Sequence, residues 1–268
     1  VCSKDSHPGA FYNARVPAIL NIAAYKFVTL PDLQTLRERL LDTALALSLK
    51  GTILLAEEGI NLFLAGAPGE VRSFLDTLHA DTRFADLEVK ESWSEHQPFR
   101  RMLVKCKREI IRMNHPAIRP ESGRAPSVDA ATLARWLDAG HDDEGREVVM
   151  LDTRNGFEVD AGAFDHAIDW RLARFSDFPA ALLAHKKELA GKTIVSYCTG
   201  GIRCEKAAIF MREAGLEHTL QLDGGILKYF EQVGGRHWHG ECFVFDEREG
   251  LDPGLRPHSE ASTASTSE

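Results

Sequence analysis

The stretch Thr193-Ile194-Val195-Ser196-Tyr197-Cys198-Thr199-Gly200-Gly201-Ile202-Arg203-Cys204-Glu205-Lys206 sets the fold of the second half of this chain. A short apolar run ends at Cys198, a Gly-rich turn follows, and a helical pattern runs on through Met211. That order predicts a thiol at the carboxyl end of a strand, with loop N–H groups and a helix N-terminus around it. Fixed positive partial charge of that kind favours thiolate over thiol. A cysteine alone would read as a core residue, since free Cys is among the most buried types. The Gly-Gly-Ile-Arg sequel favours a functional thiol instead: Gly200 and Gly201 let the backbone curl inward, and Arg203 adds a cation.

Outward from this stretch, short apolar strands alternate with helices. Strands are predicted at 148–151, 167–169, 193–197 and 219–222, and helices at 128–137, 179–189, 205–213 and 226–232. Such alternation implies a parallel sheet covered by helices on both faces. In sheets of this kind ligands bind beyond the carboxyl ends of the strands. Asp152-Thr153-Arg154 follows one strand there and Cys198 follows another.

The first half has a different rhythm. Strands are predicted at 23–29, 51–55, 60–64 and 87–91, helices at 33–49 and 69–79, and a partly alternating segment at 101–111. Ala56-Glu57-Glu58-Gly59 reads as a hairpin connection. The β-α-β-β-α-β order predicts a ferredoxin-like, or acylphosphatase-like, α+β sandwich. We therefore expect a ferredoxin-like domain at 16–113, a linker at 114–126, an α/β domain at 127–236 and a C-terminal extension at 237–256. A Ser/Thr-rich tail at 257–268 is expected to be disordered.

Composition narrows the function classes. No apolar run approaches the roughly 18 residues of a membrane span, and the first residues lack the apolar core of a secretory signal. Five cysteines without regular spacing do not form a disulfide framework and suit a reducing cytoplasm. A net charge of −8 argues against indiscriminate binding to nucleic acid, DNA included, yet leaves room for a local basic patch. No feature of the sequence specifies an oligomeric state.

Three segments then carry a resemblance. Leu151-Asp152-Thr153-Arg154 with Glu158, the loop Cys198 to Arg203, and Leu222-Asp223-Gly224-Gly225 resemble the successive signatures of a rhodanese domain. That resemblance implies Cys198 as persulfide carrier, with Thr199, Gly200, Gly201, Ile202 and Arg203 as the cradle. The interval from Cys198 to Arg203 is one residue shorter than cysteine-dependent phosphatases use to encircle phosphate, and Cys204 stands where they place Ser or Thr, which disfavours a phosphatase. The wording from Cys198 to Ala207, together with Ala56-Glu57-Glu58-Gly59-Ile60-Asn61 and Cys242-Phe243-Val244-Phe245-Asp246, is similar to the bacterial oxygen-dependent tRNA uridine hydroxylases (the TrhO, or YceA-like, family). This implies hydroxylation of the wobble uridine of tRNA to 5-hydroxyuridine, with tRNA as partner and molecular oxygen as co-substrate. The competing enzyme is a rhodanese-type sulfurtransferase passing sulfur from a small donor to a thiol; a binding module with a redox-sensing Cys198 is a third reading.

Other residues stay secondary. Arg100, Arg101, Lys105 and Lys107, with Arg108, Arg112, Arg119 and Arg124 beyond them, crowd one segment of an acidic chain. They could hold tRNA phosphates or form a solvated strand face, and alternation keeps them from sharing one surface. Asp152 and Arg154 are expected to organise the loop. Cys204 is either a resolving thiol for Cys198 or a helix-start residue packed under the loop. His237-Trp238-His239, Glu241 and Cys242 lack a recognised ligand spacing, so no metal is expected there. No dinucleotide or Walker pattern occurs, and no other cofactor is expected. Cys106 is expected in the core, and Cys2 as a free terminal thiol.

Overall fold

A computed structural model describes residues 19–257. The expected free thiol of Cys2, residues 16–18 of the expected first domain and residues 258–268 of the expected tail lie outside the described residues.

The first half builds β1 (Ile19–Phe27), α1 (Leu33–Ala46), β2 (Lys50–Ala56), β3 (Gly59–Gly66), α2 (Pro68–His79), β4 (Val89–Ser94) and β5 (Met102–Cys106). The strands lie in the order β4-β1-β3-β2-β5, with β1 antiparallel to β3 and β4, and β5 parallel to β2. The first four strands form the expected ferredoxin-like sandwich. A crossover through α1 leaves a gap beside β1, and the tight Glu57-Glu58 turn folds β3 into it. Period-2 alternation gives this sheet two unlike faces. Leu20, Ile22 and Ala24 of β1, with Leu62 and Leu64 of β3, pack on Leu36, Leu40, Phe74 and Leu78 of the helices. The opposite positions, Asn21, Ala23 and Tyr25 of β1, Asn61 and Phe63 of β3, and Lys90 of β4, face a cavity shared with the second half.

The second half builds β6 (Ser127–Val128), α3 (Ala130–Ala139), β7 (Val148–Asp152), α4 (Gly156–Ala161), β8 (Gly162–Phe164), α5 (Phe178–His185), β9 (Thr193–Tyr197), α6 (Ile202–Glu213), β10 (Thr219–Leu222) and α7 (Gly225–Val233). Strands β6-β10-β9-β7 form the expected parallel sheet. Val195 and Tyr197 pack toward α3 and α7 on one face, and Ile194 toward α5 and α6 on the other. Three short strands follow: β11 (Trp238–Gly240), β12 (Cys242–Phe243) and β13 (Gly250–Leu251). β11 pairs with β8, and Trp238, Cys242, Val244 and Leu251 join Phe164 and Tyr197 in the same core.

Several expectations are corrected. Val128 belongs to a strand rather than a helix; α3 starts after Asp129, whose carboxylate accepts from the Thr132 N–H at 2.8 Å as an N-cap. The expected strand at 167–169 is reduced to one bridge between Ile168 and Leu151. The helix expected over 179–189 ends at His185 and tightens into a 3-10 turn at Lys186–Leu189. Helix α6 begins at Ile202, three residues earlier than expected, so Arg203 and Cys204 lie in its first turn. Cys106 is exposed, because β5 is an edge strand that ends there.

Candidate active site

The loop between β9 and α6 is shaped by its glycines and held by its neighbours. Gly201 has φ +103°, in the left-handed region, and a Cβ there would lie 2.9 Å from the Tyr25 hydroxyl. Gly225 has φ +69°, and its absent Cβ would fall 2.5 Å from the Cys198 carbonyl. That close approach lets the first amides of α7 clamp the loop: Ile226 N–H donates to Cys198 O at 3.0 Å and Leu227 N–H to Thr199 O at 3.1 Å. The Leu222-Asp223-Gly224-Gly225 signature is therefore a backbone clamp on the cysteine loop.

Cys198 is buried at the bottom of this curl. Its Sγ accepts from the Gly201 N–H at 3.2 Å, and lies 4.0 Å from Cys204 Sγ. Cys204 Sγ is also 2.9 Å from the Gly201 carbonyl, so its single proton serves either acceptor. Burial alone would raise the Cys198 pKa. The Cys204 thiol, the Arg203 charge and the N–H groups of Cys204 and Arg203 outweigh it and lower the value to about 5. Cys204 moves the other way: burial and the neighbouring thiolate push it well above the ordinary thiol range, so it stays protonated as a donor. The rate of Cys198 alkylation by iodoacetamide, followed peptide by peptide, is expected to be flat at neutral pH and to fall as pH drops through about 5. In Cys204→Ala the midpoint should rise; a wild-type midpoint near the ordinary thiol value of about 8.5 would overturn this account.

Arg203 does not reach into the loop. Its guanidinium forms a two-pronged pair with Glu158 at 2.6 and 2.7 Å, both side chains buried. Glu158 also accepts from the Asn155 N–H at 3.0 Å, as part of the capping box that starts α4. Arg154 is fully buried, bound to Asp152 and to the carbonyls of Glu158 and Gly162, with Tyr197 and Trp238 rings against it. Neither Asp152 nor Arg154 lines the cavity.

That cavity, of about 410 Å³, opens between the cysteine loop and the outer face of the first-half sheet. Cys198, Thr199, Gly200 and Ile202 form one wall, and Val244 and Phe245 of the C-terminal segment another. Its size suits one small-molecule or nucleotide moiety. The two halves are joined by buried polar contacts. Lys206 Nζ lies 2.8 Å from Glu58 and from Glu109 and donates to Ile111 O at 3.1 Å. Tyr25 donates to Glu205 at 2.9 Å, and Arg124 binds the other Glu205 oxygen at 3.1 Å. Glu205 and Lys206, which follow the cysteine motif directly, thus dock the domains.

Arg100, Arg101, Lys105 and Lys107 do not line the cavity. All are exposed on or beside the edge strand β5, and Arg100 pairs with Glu247 at 2.8 Å. The cations that do reach it are Lys90, Arg112, Arg174, Arg203 and Arg248. The sequence reading missed Tyr25, Lys90 and Glu205; Asn21 and Tyr25 at alternate positions of the apolar strand β1 mark a second face, but nothing local marks Lys90 or Glu205. His237 and His239 bind separate carboxylates, Asp138 and Asp165. Among the described residues, no group of three or more His, Cys, Asp or Glu side chains is placed to hold a metal ion.

The UPF0176 acylphosphatase like domain matches residues 19–110, and the Rhodanese-like domain matches residues 130–232. A tRNA uridine(34) hydroxylase of Variovorax paradoxus is 68% identical over 250 residues, covering 93% of this chain and 95% of that protein. The chain belongs to the tRNA uridine(34) hydroxylase family. A second relative of that name, from Bordetella petrii, is 66% identical and covers 90% of this chain and 96% of its own length. Among solved structures, the rhodanese-like domain of an Anabaena protein is similar at 22% identity and a TM-score of 0.35, covering 43% of this chain and 79% of that domain. By its two domain matches the chain joins an acylphosphatase-like domain to a rhodanese domain, as the sheet orders already indicate.

Proposed function

We propose that this protein is a tRNA-modifying enzyme that hydroxylates uridine 34 to 5-hydroxyuridine, with molecular oxygen as co-substrate and Cys198 as its active-site, persulfide-type cysteine. The observation that carries the reading is identity of 63–68% to tRNA uridine(34) hydroxylases across both domains rather than the rhodanese half alone. The geometry supports it, because Cys198 sits in a cavity that the first domain closes. Thr199 to Arg203 cradle the sulfur, Cys204 donates to it, and Asp152 and Arg154 hold the loop's underside. tRNA would be its macromolecular partner, and a cytoplasmic location goes with that proposal.

Nucleoside analysis of tRNA from a strain lacking this gene tests the reading. The wild-type chain is expected to restore 5-hydroxyuridine. No restoration, together with cyanide-dependent thiocyanate release by the purified protein, would assign it to sulfur transfer instead. Mass spectrometry after peroxide treatment tests Cys204 as a resolving thiol: a Cys198–Cys204 linkage supports it, and its absence in a protein whose Cys198 does oxidise removes it.

A further inference from the structure

Lys90 has a setting that the hydroxylase reading leaves unexplained. It sits on β4 directly across from Ala23 of β1, on the sheet face turned toward the cysteine loop. Its side chain is nine-tenths buried, and among the described residues it has no carboxylate or carbonyl partner. Its ammonium lies over the Tyr25 ring, whose centroid is 5.1 Å from Nζ. Tyr25 in turn packs its hydroxyl against Gly201, so the ammonium lies one aromatic ring away from the cysteine loop. A cation–π contact contributes about 0.5–2 kcal/mol, whereas burying an ion costs several kcal/mol. Burial accordingly lowers the Lys90 pKa, with Glu88, Asp223 and the Cys198 thiolate opposing that shift. Among the described residues no carboxylate or carbonyl accepts from this ammonium, which lines the cavity.

We propose that Lys90 is the base-reading residue of this site, donating to the O4 carbonyl of the uridine that enters the cavity. The inference rests on the tRNA uridine hydroxylase reading and deepens it. An ammonium only donates. Uracil presents an acceptor at O4, while cytosine presents an amino donor at the same place, so a desolvated ammonium accepts one base and repels the other. Ala23, with only a methyl group between Asn21, Tyr25, Phe63 and Lys90, leaves a hollow on the sheet for a flat ring. A phosphate role fits Lys90 less well. Arg112 and Arg174 line the same cavity with exposed side chains and suit the backbone, whereas Lys90 lies on the floor that a flipped-out base reaches.

The test uses the full chain and two anticodon stem-loop RNAs that differ only in uridine or cytidine at position 34. In a fluorescence-anisotropy titration the wild type is expected to prefer the uridine loop by about 10-fold, the scale of a single well-placed base contact. Lys90→Met, an apolar replacement of similar length, should erase the preference through weaker uridine-loop binding, and Lys90→Arg should keep part of it. An unchanged preference in Lys90→Met overturns the proposal, as does no preference in the wild type. Equal weakening toward both loops also overturns it and assigns Lys90 to a phosphate. In the deletion strain, Lys90→Met that matches a fully active wild type refutes Lys90 alone. A wild type that restores nothing refutes the hydroxylase reading, and the binding comparison still decides Lys90.

Discussion

Replacing Cys198 by alanine is expected to eliminate 5-hydroxyuridine from tRNA in a complemented deletion strain, with no loss of folded protein. At pH 7 a thiol with a pKa of about 5 is overwhelmingly thiolate, with roughly a hundredfold excess over the protonated form. The Gly201 N–H, the Cys204 thiol and the Arg203 charge together stabilise that one negative charge. Cys198→Ser should fail as completely as Cys198→Ala, because a hydroxyl in this setting stays neutral and does not carry a sulfane sulfur. Folding should survive: the loop is held by Ile226 and Leu227 N–H groups on backbone carbonyls, which neither substitution touches. Circular dichroism and the unfolding midpoint check the fold. Wild-type levels of 5-hydroxyuridine in Cys198→Ala would sink the catalytic assignment.

Much of this architecture was legible in the sequence, and the misses have physical causes. The strand ending at Cys198 was readable because a buried parallel strand is a short apolar run bounded by turn signals. The ferredoxin-like order was readable from helix and strand periods alone. Cys106 misled because alternation assigns a face but not whether anything covers it, and β5 is an edge strand. The early start of α6 was hidden because Gly200 and Gly201 look like a loop, whereas Gly201 is the residue just before the helix. Tyr25, Lys90 and Glu205 were missed for a deeper reason. Their importance arises from docking two domains, and local periodicity contains no record of which sheet face meets another domain. The basic stripe around Arg100 and Lys105 shows the converse: charge density along the chain pointed to an edge, while the cations that reach the cavity are scattered over both halves.

Arg203→Met is expected to destabilise the protein by about 3–5 kcal/mol, the cost of leaving a buried charge unpaired. In this structure that charge is Glu158, fully buried and bound to both guanidinium nitrogens. The loop arginine, read from sequence as part of the sulfur cradle, thus serves at the same time as a strut between α6 and α4. Lysine should not substitute for it, since one ammonium cannot reproduce the two-pronged geometry. A double-mutant cycle separates the strut from any effect on the thiolate. Glu158→Met removes the orphaned carboxylate, so Arg203→Met combined with Glu158→Met should recover most of the stability lost in Arg203→Met alone. The Cys198 alkylation midpoint should remain raised in the double variant, because the positive charge that lowers the thiol pKa is still gone. Urea unfolding reads the first quantity and pH-dependent alkylation the second. Additive destabilisation in the double variant would show that the pair is not coupled, and an unshifted midpoint would remove Arg203 from the electrostatics of Cys198.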